Sequence, residues 1–235
     1  MSDTSWLLVE KTASLALFPP ARQIMQEITP PAALLFLSGH CPHCPAVLAG
    51  LSDLLKRAVI GRLEVVNIEA HPDAAASLGV RSVPWVRIGH FELAGVLSSG
   101  ELETWARRAS SADGMADAFH DLLKTGGAGQ VLRLVHEAPT RLAELLPIVA
   151  NPEASLNVRL GAGMVFEEFA ASLALRGLVP RLCELVRHDD ARVRADAAHI
   201  LGLSRDASAR SCLEALEDDM DGDVREIAAD SLAGL

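Results

Sequence analysis

The sequence predicts two folds in series, an N-terminal α/β domain and a C-terminal all-α solenoid of repeated helix pairs. Three observations carry this. Short apolar runs with strand character at Ala33 to Leu37 and Leu63 to Ile68 flank a segment of helical period, which is the pattern of a βαβ unit. The small polar stretch Ser110-Ser111-Ala112-Asp113-Gly114 marks a change of composition, after which nearly every segment has helical spacing. A motif near the C-terminus recurs at an interval of 31 residues. A chain of 235 residues has room for two domains, expected at 1–110 and 127–235 with a linker or connecting helix over 111–126.

In the first region Leu7-Leu8-Val9 reads as a short strand and Ala21 to Ile28 as a helix stopped by Pro30-Pro31. Ala33 to Leu37 is a buried strand bounded by Pro and Ser-Gly. Helical spacing then runs through Val47, Leu48, Leu51, Leu54, Leu55 and Val59 to Gly61, and Leu63 to Ile68 is strand-like again. A short helix is expected over Pro72 to Leu78, and strands at Trp85 to Ile88 and Phe91 to Val96. A helix over Ser99 to Arg108, with Ser99 as its cap, closes the region. Gly126-Gly127-Ala128-Gly129 is a second break.

In the second region Val193-Arg194 and Val224-Arg225 superpose on a shift of 31 residues, with Leu182 on Leu213, Leu185 on Leu216, Asp190 on Asp221, Ala197 on Ala228 and Leu201 on Leu232. Val158-Arg159, Ala162 and Phe166 form an earlier, weaker copy. Each such unit has one apolar stripe that only a stacked neighbour can bury, so the repeats make a continuous core. The pattern D-x-x-V-R-x-x-A-A-x-x-L resembles HEAT repeats, which makes the expected C-terminal fold an all-α HEAT-type solenoid. Arg194 and Arg225 are expected to hold acceptors between units, with Asp190 or Asp221 as candidates.

Chemistry concentrates at Cys41-Pro42-His43-Cys44. Two cysteines at C-x-x-C spacing serve either zinc or thiol–disulfide exchange; the only other cysteines lie in the repeat region, while His40, His43 and His71 could in principle complete a metal site. Exchange needs an accessible thiol of lowered pKa. Cys41 precedes a predicted helix, whose N-terminal N–H groups and dipole stabilise a nearby thiolate. Pro42 suits the start of that helix, and His43 can donate to the thiolate or add charge when protonated. Cys41 is the expected nucleophile and Cys44, one turn further in, the expected resolving thiol.

Leu35-Phe36-Leu37-Ser38-Gly39-His40-Cys41-Pro42-His43-Cys44, then Asn67-Ile68-Glu69, Val80-Arg81-Ser82-Val83-Pro84 and Gly95 to Leu102, follow the order and spacing of thioredoxin. Residues from about 15 to 109 therefore resemble the thioredoxin-like superfamily. That resemblance implies a four- or five-stranded sheet flanked by helices, a cis peptide before Pro84, and pairing of an extended substrate segment with the backbone of Val83. Trp85 would then border the substrate groove, or else fill the core as a strand residue. The family's buried Asp and its partner Lys align with Leu35 and Val65, and its Trp before the first Cys with His40. In this the motif is closer to disulfide oxidases with the same C-P-H-C sequence, and to the Cys-Pro-Tyr-Cys-Pro domains of alkyl hydroperoxide reductase flavoproteins and archaeal disulfide oxidoreductases. His43 suggests a potential more oxidising than thioredoxin's.

The expected function is thiol–disulfide exchange with a protein client at Cys41 and Cys44, with the repeats as a protein-binding scaffold and a donor protein or small thiol as electron source. The alternative is an adaptor or chaperone-like module in which the C-x-x-C is a redox switch or a metal-binding element. No cofactor is expected, because Gly126-Gly127-Ala128-Gly129 lacks the strand and spacing of a dinucleotide fingerprint. A net charge of -10 disfavours nucleic acid and anionic membranes as partners, and no apolar run approaches the roughly 20 residues of a membrane span. The start Met1-Ser2-Asp3-Thr4-Ser5-Trp6 has no secretory pattern, so a cytoplasmic location is expected. Cys183 and Cys212 are accordingly read as two separate thiols in the repeat core.

Overall fold

The computed structural model of the chain describes residues 29–111 and 114–235. The strand expected at Leu7-Leu8-Val9 and the helix expected over Ala21 to Ile28 lie outside the described residues, as do Ala112 and Asp113 of the expected linker. The first region runs β1 (Ala32–Leu37), α1 (Cys44–Lys56), β2 (Arg62–Asn67), α2 (Pro72–Ser77), β3 (Trp85–Ile88), β4 (Phe91–Ala94) and α3 (Ser99–Ser110). Its described strands form one sheet in the order β2-β1-β3-β4. β1 and β2 are parallel, as the α1 crossover requires, while β3 is antiparallel to both β1 and β4.

The sheet has two unlike faces because side chains alternate along each strand. On one face Leu35, Val86 and Ile88 meet Val47, Leu51 and Leu54 of α1 and Leu102 and Ala106 of α3. On the other, Phe36, Trp85 and Ala75 form a small cluster beneath α2. The cap of α3 is Ser98 rather than the expected Ser99. Ser98 is extended, its hydroxyl accepts from the Glu101 N–H, and the Glu101 carboxylate accepts in return from the Ser98 N–H.

The second region comprises α4 (Gly114–Lys124), α5 (Ala128–Glu137), a 3-10 turn (Pro139–Leu145), α6 (Leu146–Val149), α7 (Leu156–Glu168), α8 (Leu173–Arg176), α9 (Val179–Leu185), α10 (Ala191–Ser204), a 3-10 turn (Ala207–Ala209), α11 (Arg210–Glu214) and α12 (Gly222–Ala233). α7, α10 and α12 carry the V-R-x-x-A copies, with Val158, Val193 and Val224 buried in each. Arg159 and Arg194 cross between units, whereas Arg225, also expected to do so, stays within its own repeat, and the acceptors differ from those expected. Arg159 pairs with Asp196 at 2.7 Å, and Arg194 grips Asp219 through Nε and Nη2 at 2.7 and 2.8 Å. Arg225 donates to the Asp219 carbonyl. Asp190 and Asp221 instead cap α10 and α12, accepting backbone N–H groups of their first turns, since an Asp just ahead of a helix is better used on its orphan donors.

Cys183 and Cys212 are not separate thiols. They form a disulfide between α9 and α11, with Cα atoms 5.5 Å apart. The 31-residue shift places Cys183 over Glu214 and so conceals the pairing, because side chains that meet across stacked repeats need not be equivalent positions. With this bond in place, cysteine usage no longer argues for a reducing compartment. No helix among the described residues is long and apolar enough to cross a membrane.

The two regions share a core. Phe91 of β4 is fully buried in the cluster that holds Phe119, Leu122, Val131 and Phe166, and its ring lies 5.2 Å from that of Trp105. Arg108 stacks over Trp105 and pairs with Asp121 of α4 at 2.8 Å. Glu92 receives Arg133 on its carboxylate and Gln130 on its carbonyl, both from α5. These contacts gather at the Ile88–Phe91 end of the strands.

Candidate active site

The opposite end of the sheet carries the cysteines. β1 ends at Leu37, the chain turns through Ser38-Gly39-His40, and Cys41 comes back toward Ser38, donating its N–H to the Ser38 carbonyl at 3.3 Å. α1 begins at Cys44, with His43 at the N-cap position, so the proline in its first turn is Pro45 and Pro42 precedes the helix. Cys44 therefore stands at the first helical position rather than one turn in. It is buried, while Cys41 is half-exposed.

Four groups converge on the Cys41 sulfur. The Cys44 N–H donates to it at 3.2 Å, and the thiol can donate in turn to the Val83 carbonyl at 3.7 Å. The Val83–Pro84 peptide is cis. The Cys41 pKa is lowered below the usual thiol value, chiefly by a hydrogen bond from the Cys44 thiol, and further by the backbone N–H groups of His43 and Cys44 against a cost of burial. Cys44 is pushed up, first by burial and then by the same Cys41 sulfur. Two chemically identical side chains three residues apart thus acquire opposite acid strengths.

Residues 34–107 match the family model of a thioredoxin domain, and residues 142–233 match the model of HEAT repeats. The chain joins a thioredoxin domain to HEAT repeats. No curated protein matches it.

Within the thioredoxin domain the expected site residues fall into two groups. Cys41, Cys44, Val83 and Pro84 come together around one sulfur. Trp85 does not line an open groove, because it is buried at the head of β3 with its ring 5.5 Å from that of Phe36. His43 contributes through its backbone N–H, while its imidazole is exposed and makes no cap to α1. His40 is exposed, its side chain 92% accessible, and its Nδ1 lies 2.9 Å from Glu69. Leu35 and Val65, aligned with the family's ionisable pair, are register partners across β1 and β2, the first fully buried and the second exposed.

Ser38 and Glu69 were given no role by sequence reasoning. The Ser38 hydroxyl donates to Glu69 at 2.6 Å and accepts from the His40 N–H at 3.1 Å, so three side chains form one polar cluster beside Cys41. The Glu69 carboxyl is held below the usual range, mainly by Ser38 and then by His40. A signal was present in the parallel register: a βαβ unit that pairs Leu37 with Asn67 sets residue 69 beside residue 38. No group of three or more His, Cys, Asp and Glu side chains among the described residues is arranged to hold a metal ion.

Proposed function

We propose that the protein is a thiol–disulfide oxidoreductase acting on a protein client that its HEAT repeats help to hold. The observation that carries this reading is the Cys41 sulfur, which accepts from the Cys44 N–H and faces the Val83 carbonyl on the cis-proline loop. In the reducing direction the Cys41 thiolate attacks one sulfur of a client disulfide, and the other leaves as a thiolate that takes a proton. Val83 pairs with the client backbone while the mixed disulfide stands. Cys44 then loses its proton and attacks the Cys41 sulfur, closing Cys41–Cys44 and freeing the client as a dithiol. Two electrons and two protons pass to the client, and a donor dithiol or small thiol restores the pair. The same steps reversed oxidise a client.

The repeats support the client-holding part. α7 exposes Leu156, Leu160 and Met164 at helical spacing, along one side of the helix. The same stripe favours the second reading, an adaptor whose C-x-x-C is a redox switch. Insulin reduction in dithiothreitol separates the two. Wild-type acceleration that is abolished in Cys41→Ser supports the enzyme, and equal rates with and without wild-type protein would overturn it. Cys44→Ser should accumulate mixed disulfides through Cys41, from which clients are identified by mass spectrometry.

A further inference from the structure

The Cys183–Cys212 bond is unexplained by the exchange chemistry at Cys41. It ties α9 to α11, the outer helices of the last two repeats, and closes a loop containing the whole of α10. Each of these short outer helices packs mainly on its own repeat's inner helix, α9 on α10 and α11 on α12. The inner pair is secured independently of the bond. α10 and α12 approach so closely that a Cβ on Gly202 would lie 2.7 Å from Ser231 Cβ, Val193, Ala197, Val224 and Ala228 are buried, and Arg194 grips Asp219. A solenoid stabilised by nearest-neighbour packing keeps its fold when one outer tie is cut.

The bond is also open to attack. Both cysteines are half-buried rather than sealed, and their chain neighbours Glu184 and Ser211 are exposed. The Cys41 thiol of the same molecule lies past Leu37, at the end of the strands away from Phe91, where the repeats dock.

We propose that Cys183–Cys212 is a second thiol–disulfide exchange site, a reversible latch that locks the outer helices of the last two repeats when closed and releases them when open. A thiolate of a dithiol reductant attacks one sulfur of the pair and the other departs as a thiolate. The second thiolate of the reductant then closes its own disulfide and releases the remaining cysteine. Two electrons and two protons move to Cys183 and Cys212. The reductant is either a small dithiol or the Cys41–Cys44 pair of a second copy of this chain.

The test uses the full chain, purified without reductant and equilibrated in a dithiothreitol series, with free thiols trapped by N-ethylmaleimide and located by peptide mass spectrometry. Cys183 and Cys212 should become alkylated together while the helical circular dichroism is retained. Amide exchange in α9 and α11 should then rise by about 10-fold, with α10 and α12 little changed. A Cys183→Ser, Cys212→Ser double variant should show the open pattern without reductant. Opening only with loss of helical signal would overturn the latch, as would identical exchange in both states or full alkylation of both cysteines before any reduction. With Cys41→Ser chain as the substrate and dithiothreitol limiting, a trace of wild-type chain that speeds opening, where an equal addition of Cys41→Ser does not, identifies the second copy as donor. Equal opening rates in the folded protein identify the small dithiol.

Discussion

At Cys41 and Cys44 the backbone decides what each thiol does. The helix start supplies N–H groups to the first sulfur and places the second under cover. Because the Cys41 pKa is lowered, its thiolate persists at pH values where an ordinary cysteine, near about 8.5, is protonated. The rate of Cys41 alkylation should therefore reach its half-maximum below that value, and an unshifted midpoint would contradict the geometry. Cys44→Ala, which removes the largest favourable contact, should move the midpoint up further than His43→Ala, whose loss leaves the backbone N–H in place. The cysteines were legible from their spacing, and Pro84 from the resemblance to thioredoxin. The His43 contribution was not, since a motif names side chains whereas here the N–H is the group in contact. Glu69 was equally hidden, because its role depends on two strands coming into register.

Among the elements, the V-R-x-x-A helices depend on the pairing of Arg194 with Asp219, whose side chain is 8% exposed. Arg194 holds the Asp219 carboxyl below its usual range. A depressed carboxyl adds stability that is fully present above the unfolded value, about 3.9, and is lost as pH falls through the lower folded value. Asp219→Asn should cost about 2–4 kcal/mol at neutral pH. Thermal melts of variant and wild type should converge once the pH is well below that of an unfolded Asp, and a constant gap would argue against the linkage. The helices themselves were readable from a repeat of 31 residues, and so was the bridging of units by Arg194, though not the turn of Arg225 back into its own repeat. The acceptors were not, for a period aligns equivalent positions, whereas Arg194 and Asp219 occupy different places in successive copies. Cys183 and Cys212 escaped for the same reason.

The whole molecule is joined through Phe91, which belongs to the sheet by hydrogen bonding and to the repeats by packing. Sequence patterning placed Phe91 in a strand and assigned the two folds. It gave no hint of their contact, because a buried aromatic looks the same whichever core receives it. Removing that ring should cost about 3–5 kcal/mol. Wild type should melt in one transition by calorimetry, and Phe91→Ala should split it into two; two transitions in wild type would show that the regions are independent. A shared core also leaves little play between Cys41 and the exposed side of α7. A client bound at both places spans a set distance, and its effective concentration at the sulfur is high when its own disulfide lies at that distance from its docking segment and falls away when it does not. Selection would then act as a ruler, reading the separation of two features on the client rather than the residues around its disulfide.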